Sequence, residues 1–108
     1  MKKELTIKDL QDYLYDRYKD FGNNPRLLTK LIEEVGEVAE AVAIDQNWKK
    51  PKEGVSLASE LADVIHYTIA IASINNIDLT KIILEKDKEA SIRYNHKINL
   101  TEFIERRK

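Results

Sequence analysis

The segment from Ser56 to Ser73, SLASELADVIHYTIAIAS, constrains this chain more than any other. On a helical wheel its apolar residues, from Leu57 and Leu61 through Val64, Ile65, Tyr67 and Ile69 to Ile71, spread almost all the way round. A helix that is apolar on nearly every side must be covered on nearly every side. Yet Glu60 falls between Tyr67 and Ile71 on that wheel, and Asp63 falls between Ala70 and Ile74. Unpaired carboxylates in such surroundings cost several kcal/mol each or take up protons. The segment contains no Lys or Arg that could pair with them.

The rest of the chain supplies neighbours for it. At 108 residues it has the length of a single domain, and three more helical segments can be read. Thr6 caps a first helix through Ile7, Leu10, Leu14 and Tyr18, with Asp9 as the partner of a capping box. Gly22-Asn23-Asn24 breaks it, and Asn24 followed by Pro25 reads as the cap and first-turn proline of a second helix to about Ile44. Asp45 to Gly54 is the one long polar stretch and is a loop or crossover. Ser56 starts the third helix and Asn75-Asn76 ends it; Asp78 caps a fourth reaching about Tyr94. The core is expected over residues 6–94, with 95–108 a polar tail carrying at most a short helix after Thr101. The fold class is all-α, a four-helix bundle-like arrangement.

The second helix carries its own carboxylates. Leu27, Leu28, Leu31, Ile32, Val35, Val38, Ala39 and Val42 fill one arc, Glu33, Glu37 and Glu40 fill another, and Glu34 lies between the two. Glu34 and Glu37 are three residues apart, as are Glu60 and Asp63, so each pair projects over about one turn of its helix. Two antiparallel helices would bring all four together, as in carboxylate-bridged metal sites of helical bundles. Ligation by carboxylates alone suits a hard cation, Mg²⁺ or Mn²⁺, and Mg²⁺ keeps phosphate oxygens or waters as further ligands. The alternatives are a hydrated polar seam, or a contact with lysines of another chain.

Glu33-Glu34-Val35-Gly36-Glu37 followed by Glu60-Leu61-Ala62-Asp63 resembles the EExxE and ExxD motifs of the MazG-like nucleotide pyrophosphohydrolases, within the all-α NTP pyrophosphatase superfamily. The resemblance runs from about Pro25 to Tyr94 and includes the closing Arg93-Tyr94. It implies Mg²⁺-dependent hydrolysis of a nucleoside triphosphate between its α and β phosphates, giving a monophosphate and pyrophosphate. Glu34, Glu37, Glu60 and Asp63 would be the metal ligands. Glu33 would orient or deprotonate the attacking water, or stand outside the ligand shell. Lys86 and Arg93, seven apart on one face of the fourth helix, match positions where the family often places phosphate contacts. The competing assignment for both is a surface pair with Glu89. Ala90 stands where the family often has Asn. Trp48 in the polar loop is a candidate for stacking on the base, or a cover for a core edge. His66 is assigned a structural or surface role, and Lys88 faces solvent.

Composition narrows the remaining classes. Lys and Arg number 18 against 19 Asp and Glu, so no basic excess draws the chain to polymeric nucleic acid or an anionic membrane. Cysteine is absent, which excludes a thiol nucleophile and Cys-ligated zinc and suits a cytoplasmic location. The first ten residues carry no apolar signal-peptide core, and the apolar stretch Val64–Ile74 is shorter than a bilayer span. Covering the third helix on all sides asks more than three short neighbours supply, so a homo-oligomer, a dimer or tetramer, is expected. Phosphoribosyl-ATP pyrophosphohydrolysis and a non-catalytic dimerisation module are the alternative functions.

Overall fold

Each helix begins at a side chain that caps it. In the computed structural model, which describes residues 3–21 and 23–107, α1 spans Ile7–Tyr18, α2 Asn24–Asp45, α3 Leu57–Ile74, α4 Leu79–Arg93 and α5 Leu100–Arg106. Thr6 and Asp9 form a complete capping box at α1, and Asn99 with Glu102 repeats it at α5. Ser56 and Asp78 cap α3 and α4 as expected. At α2 the cap is Asn23 rather than Asn24: the Asn23 side chain accepts from the Arg26 amide at 3.0 Å. The shift is one residue because two adjacent asparagines compete for the position and proline is tolerated anywhere in the first turn. Of the expected break, Gly22 lies outside the described residues.

Three helices end in the same way. Asn47, Asn76 and Asn95 take φ values of +62°, +56° and +55°. The amide two residues past each final turn then reaches back: Trp48 to the Ala43 carbonyl (2.8 Å), Ile77 to Ala72 (3.0 Å) and His96 to Ser91 (2.9 Å). These are Schellman caps built on asparagine, the residue that best tolerates the left-handed region after glycine.

The chain divides into two compact units, Met1–Ile77 and Asp78–Lys108. In the first, α3 packs against both α2 and α1, antiparallel to each. The Asn24 and Asn75 amides exchange hydrogen bonds (3.2 and 2.6 Å), which fastens the start of α2 to the end of α3. On the other side the Ser73 hydroxyl lies 2.9 Å from the Gln11 carbonyl, and the Tyr18 hydroxyl lies 2.8 Å from His66 Nε2. Leu14, Leu27, Ala41, Ile69, Ala70 and Ala72 are the buried apolar residues. The alanines let the helix backbones approach closely. In the second unit α4 packs on α5, and the Leu100 amide donates to Asp87 at 2.6 Å.

A single chain leaves part of α3 bare, as its all-round apolar pattern suggests. α3 is not covered all round: Leu61 and Ile65 are exposed, Ile65 by 54%. On α2, Leu28, Ile32 and Val35 form a matching open strip, with Ile32 61% exposed. The reason is geometric, since two flanking helices in this unit cover only part of a cylinder. By length and composition alone α3 could also cross a membrane, but it carries Glu60 and Asp63, which the centre of a bilayer disfavours.

Leu14 is fully buried where α1 meets the rest of the unit. Leu14→Ala should therefore lower unfolding free energy by about 2–5 kcal/mol in a denaturant titration, as for other buried leucines.

Candidate metal centre

Antiparallel packing of α2 on α3 decides where the acidic residues meet. Glu34 and Glu37 lie one turn apart on α2, and Glu60 lies on the first turn of α3. One carboxylate oxygen from each of Glu34, Glu37 and Glu60 falls within 4.8 Å of the others. Glu34 and Glu60 are buried, at 8% and 9% exposure, while Glu37 opens to solvent. The Oε2 atoms of Glu34 and Glu60 are buried without any hydrogen-bond partner. Asp63, one turn along α3 from Glu60, is half-buried.

The electrostatics follow from that crowding. Glu60 is pushed up to about 7, first because its protonated form hydrogen-bonds to Glu37, then by burial and by the charge on Glu37. Glu34 is raised above the usual carboxylate range, mainly by burial, then by Glu37 and by the negative charge of Asp63. Two acids pushed above their usual range by burial and by the carboxylate of Glu37, each with an oxygen lacking a partner, have the composition to hold a cation: a bound ion supplies the missing charge and the missing contacts together.

The other candidates are distributed more widely. Glu33 is half-exposed and pairs with Lys30 at 3.1 Å, outside the cluster of three. Trp48 sits just past the end of α2, where its amide closes the Schellman cap, and its side chain is 75% exposed. Lys86 and Arg93 belong to α4 in the second unit, where both are exposed and the Arg93 guanidinium lies 5.9 Å from the Tyr94 ring. His66 is half-buried, with its ring edge on Tyr67 and its Nε2 at Tyr18. Burial and the charge on Arg17 hold it below the usual histidine range, so near neutral pH it fastens α3 to α1 as an uncharged ring.

A group the sequence reading did not assemble lies beside the cluster. Glu40, one turn beyond Glu37, takes Lys49 at 2.6 Å on one oxygen and Lys52 at 3.6 Å on the other. Lys49, and after it Lys52, hold the Glu40 carboxyl below its usual range. Glu37, Glu40, Lys52, Glu53, Gly54, Val55 and Glu60 line an open cleft of about 210 Å³. The signal was present as three lysines within Lys49–Lys52, close after the acidic strip of α2. The spacing across a loop did not say which acid they would meet.

Residues 23–97 match the MazG nucleotide pyrophosphohydrolase domain. The chain belongs to that family. It is 33% identical to rat dCTP pyrophosphatase 1 over 103 residues, covering 84% of this chain and 60% of that protein. The human dCTP pyrophosphatase 1 is also 33% identical, over 77% of this chain and 55% of its own length. The chain thus spans little more than half the length of these relatives. The crystal structure of iMazG from Vibrio DAT 722 superposes with a TM-score of 0.62 at 30% identity, covering 85% of this chain and all of that one. The likeness extends to the all-helical architecture described above.

The acids generate a pH prediction for the metal-free protein. Glu60 has a folded-state value near 7 against an ordinary 4.5, so between those values the folded form holds the proton more tightly than the unfolded form. Its contribution to stability is greatest below about pH 4.5 and is lost as pH rises through about 7. Glu60→Gln should remove that part of the decline, leaving the variant more heat-stable than wild type at about pH 8 without metal. Thermal melts across pH, read as the difference between the two proteins, test this; a less stable variant at high pH would mean that protein cations neutralise Glu60.

Proposed function

We propose that this domain is a Mg²⁺-dependent nucleoside triphosphate pyrophosphohydrolase. The observation that carries the proposal is the pair of buried, unpartnered oxygens on Glu34 and Glu60, in a group with Glu37 whose members Glu37 and Glu60 line a cleft. Nothing in a purely structural role requires Glu34 and Glu60 to be buried beside Glu37 so that both are pushed above the usual carboxylate range.

In this proposal Glu34, Glu37, Glu60 and Asp63 hold the cation. When bound, it would offset the charge of a polyphosphate that these acids would otherwise repel, and it would acidify a coordinated water. Water adds across the bond between the α and β phosphates, the P–O bond breaks, and monophosphate and pyrophosphate leave with one proton released. Glu33 would accept that proton or orient the water. Its pairing with Lys30 also fits a place outside the ligand shell. Lys86 and Arg93 would contact phosphate, and Trp48 would lie against the base. The named relatives make dCTP the first triphosphate to try, with Mn²⁺ a possible substitute ion.

Pyrophosphate release from a panel of nucleoside triphosphates and phosphoribosyl-ATP, with and without Mg²⁺, tests the proposal. Activity should need the metal, and Glu37→Gln should abolish it with the fold retained. Glu33→Gln should lower kcat by about 100-fold or more with little change in nucleotide binding if Glu33 takes the proton. A change of a few-fold assigns it to the outer shell. Wild-type protein inactive on every triphosphate with Mg²⁺ present would defeat the proposal.

We also propose that the active form is a homo-oligomer, a dimer or tetramer. Leu28, Ile32 and Val35 on α2 and Leu61 and Ile65 on α3 are too many exposed apolar side chains to leave in water. Gly36 adds to this: it sits mid-helix next to that strip with open space where a Cβ would be. A helix-interior glycine costs about 1 kcal/mol relative to alanine, and among the described residues none comes close enough to its missing Cβ to call for it. Sedimentation should give at least a dimer, and Ile32→Glu or Ile65→Glu should shift it to monomer. A wild-type monomer at micromolar concentration would contradict this assignment.

A further inference from the structure

The cleft beside the carboxylates is lined by Glu37, Glu40, Glu53 and Glu60 and, among the described residues, by one cationic side chain, Lys52. Glu60, one of these lining residues, is nine-tenths buried and has one carboxylate oxygen without a partner. The α2–α3 loop brings Lys52 there through two local devices. Asn47 turns the chain back over the end of α2, and Gly54, at φ +83°, makes the turn toward α3 that a residue with a Cβ would resist.

The two lysines on Glu40 are not equivalent. Lys49 lies at 2.6 Å, a charge-assisted hydrogen bond that satisfies Glu40 Oε2 and does not line the cleft. Lys52 lies 3.6 Å from Oε1, beyond hydrogen-bond distance, and its side chain is mostly exposed. Such a contact is worth little, and Glu40 keeps Lys49 if Lys52 leaves. Lys52 is therefore held near the cleft mouth without being committed to its present partner. A long side chain of this kind can exchange a weak carboxylate contact for a phosphate oxygen at small cost.

We propose that Lys52 is a phosphate-binding residue, moving from Glu40 to a non-bridging oxygen of the triphosphate when that substrate enters the cleft. Glu40 is its positioning residue, with Lys49 keeping Glu40 ionised and in place. The inference rests on the pyrophosphohydrolase reading and deepens it: the loop supplies a phosphate donor from the same compact unit as the acids. Lys52 makes no covalent bond and transfers no proton.

The test separates triphosphate binding from metal binding. The α,β-methylene analogue of dCTP, with Mg²⁺ in excess, is titrated calorimetrically into wild type, Lys52→Gln, Lys52→Arg and Lys49→Gln. Mn²⁺ alone is titrated into the same proteins by electron paramagnetic resonance. Lys52→Gln should raise the Kd for the analogue by about ten-fold or more. Its Mn²⁺ affinity should be unchanged or higher, since a cation beside the acids has been removed. Lys52→Arg should recover most of the loss, and Lys49→Gln should stay within about three-fold of wild type. If wild type binds the analogue and Lys52→Gln binds it equally well, Lys52 is only a loop clamp and the inference fails while the proposed activity stands. An equal loss in Lys49→Gln, or a parallel loss of Mn²⁺ affinity in Lys52→Gln, would overturn it in favour of diffuse charge or a disturbed site. No binding of the analogue by wild type, together with no hydrolysis of any triphosphate, would remove both proposals.

Discussion

Glu34 and Glu60 turn buried carboxylates into the same few ångströms between α2 and α3, with Glu37 completing the group. On their own these charges push the two helices apart. The helices stay together because the unit buries apolar surface elsewhere along them, with Leu27, Ala41, Ile69, Ala70 and Ala72 taken out of water. Burial has two consequences here. It holds the helices in place against the repulsion, and it strips water from the acids so that a proton or a cation must take its place. Folding stability and the capacity of the site are thus linked through one contact, a common arrangement where function is built on locally unfavourable groups.

The remainder of the first unit keeps that contact in register. A slide of one turn along α2 would move Glu34 and Glu37 away from Glu60. Fasteners at separate points oppose such a slide. The paired amides of Asn24 and Asn75 join the ends of α2 and α3, while Ser73 with Gln11 and His66 with Tyr18 tie α3 to α1 on its other side. None of these polar contacts touches the acids. They act by allowing only one antiparallel alignment, and the Schellman caps at Asn47 and Asn76 stop α2 and α3 where the alignment needs them to stop. Lys49 and Lys52 then draw the connecting loop onto Glu40, next to the cluster.

Much of this was legible from local chemistry. Thr6 with Asp9, Ser56 and Asp78 start helices because a short polar side chain before an apolar periodic run has few better uses for its oxygen than the free amides of a first turn. The pairs Glu34–Glu37 and Glu60–Asp63 stood out because each joins two acids one turn apart, and because Glu34, Glu60 and Asp63 sit on or beside an apolar face. The choice between Asn23 and Asn24 was less legible, since both satisfy the same rule. Glu33 was also ambiguous. It belongs to the same acidic run, but a few tens of degrees around the helix carry it away from the cluster and bring it to Lys30.

The sequence by itself determined the helices, their ends, and the presence of carboxylates that no residue of α3 could neutralise. These are short-range properties, set by side chains competing for backbone groups within a turn and by the 3.6-residue period of the helix. Only the tertiary structure decided which acids meet. The group of three, the two bare oxygens and the second lysine on Glu40 depend on helix register and loop path, which arise from packing between residues far apart in the chain. The covering of α3 belongs to the same level. Periodicity announces that Leu61 and Ile65 need apolar neighbours, but whether those come from this chain depends on how many helices reach that side, and within the first unit the side stays open.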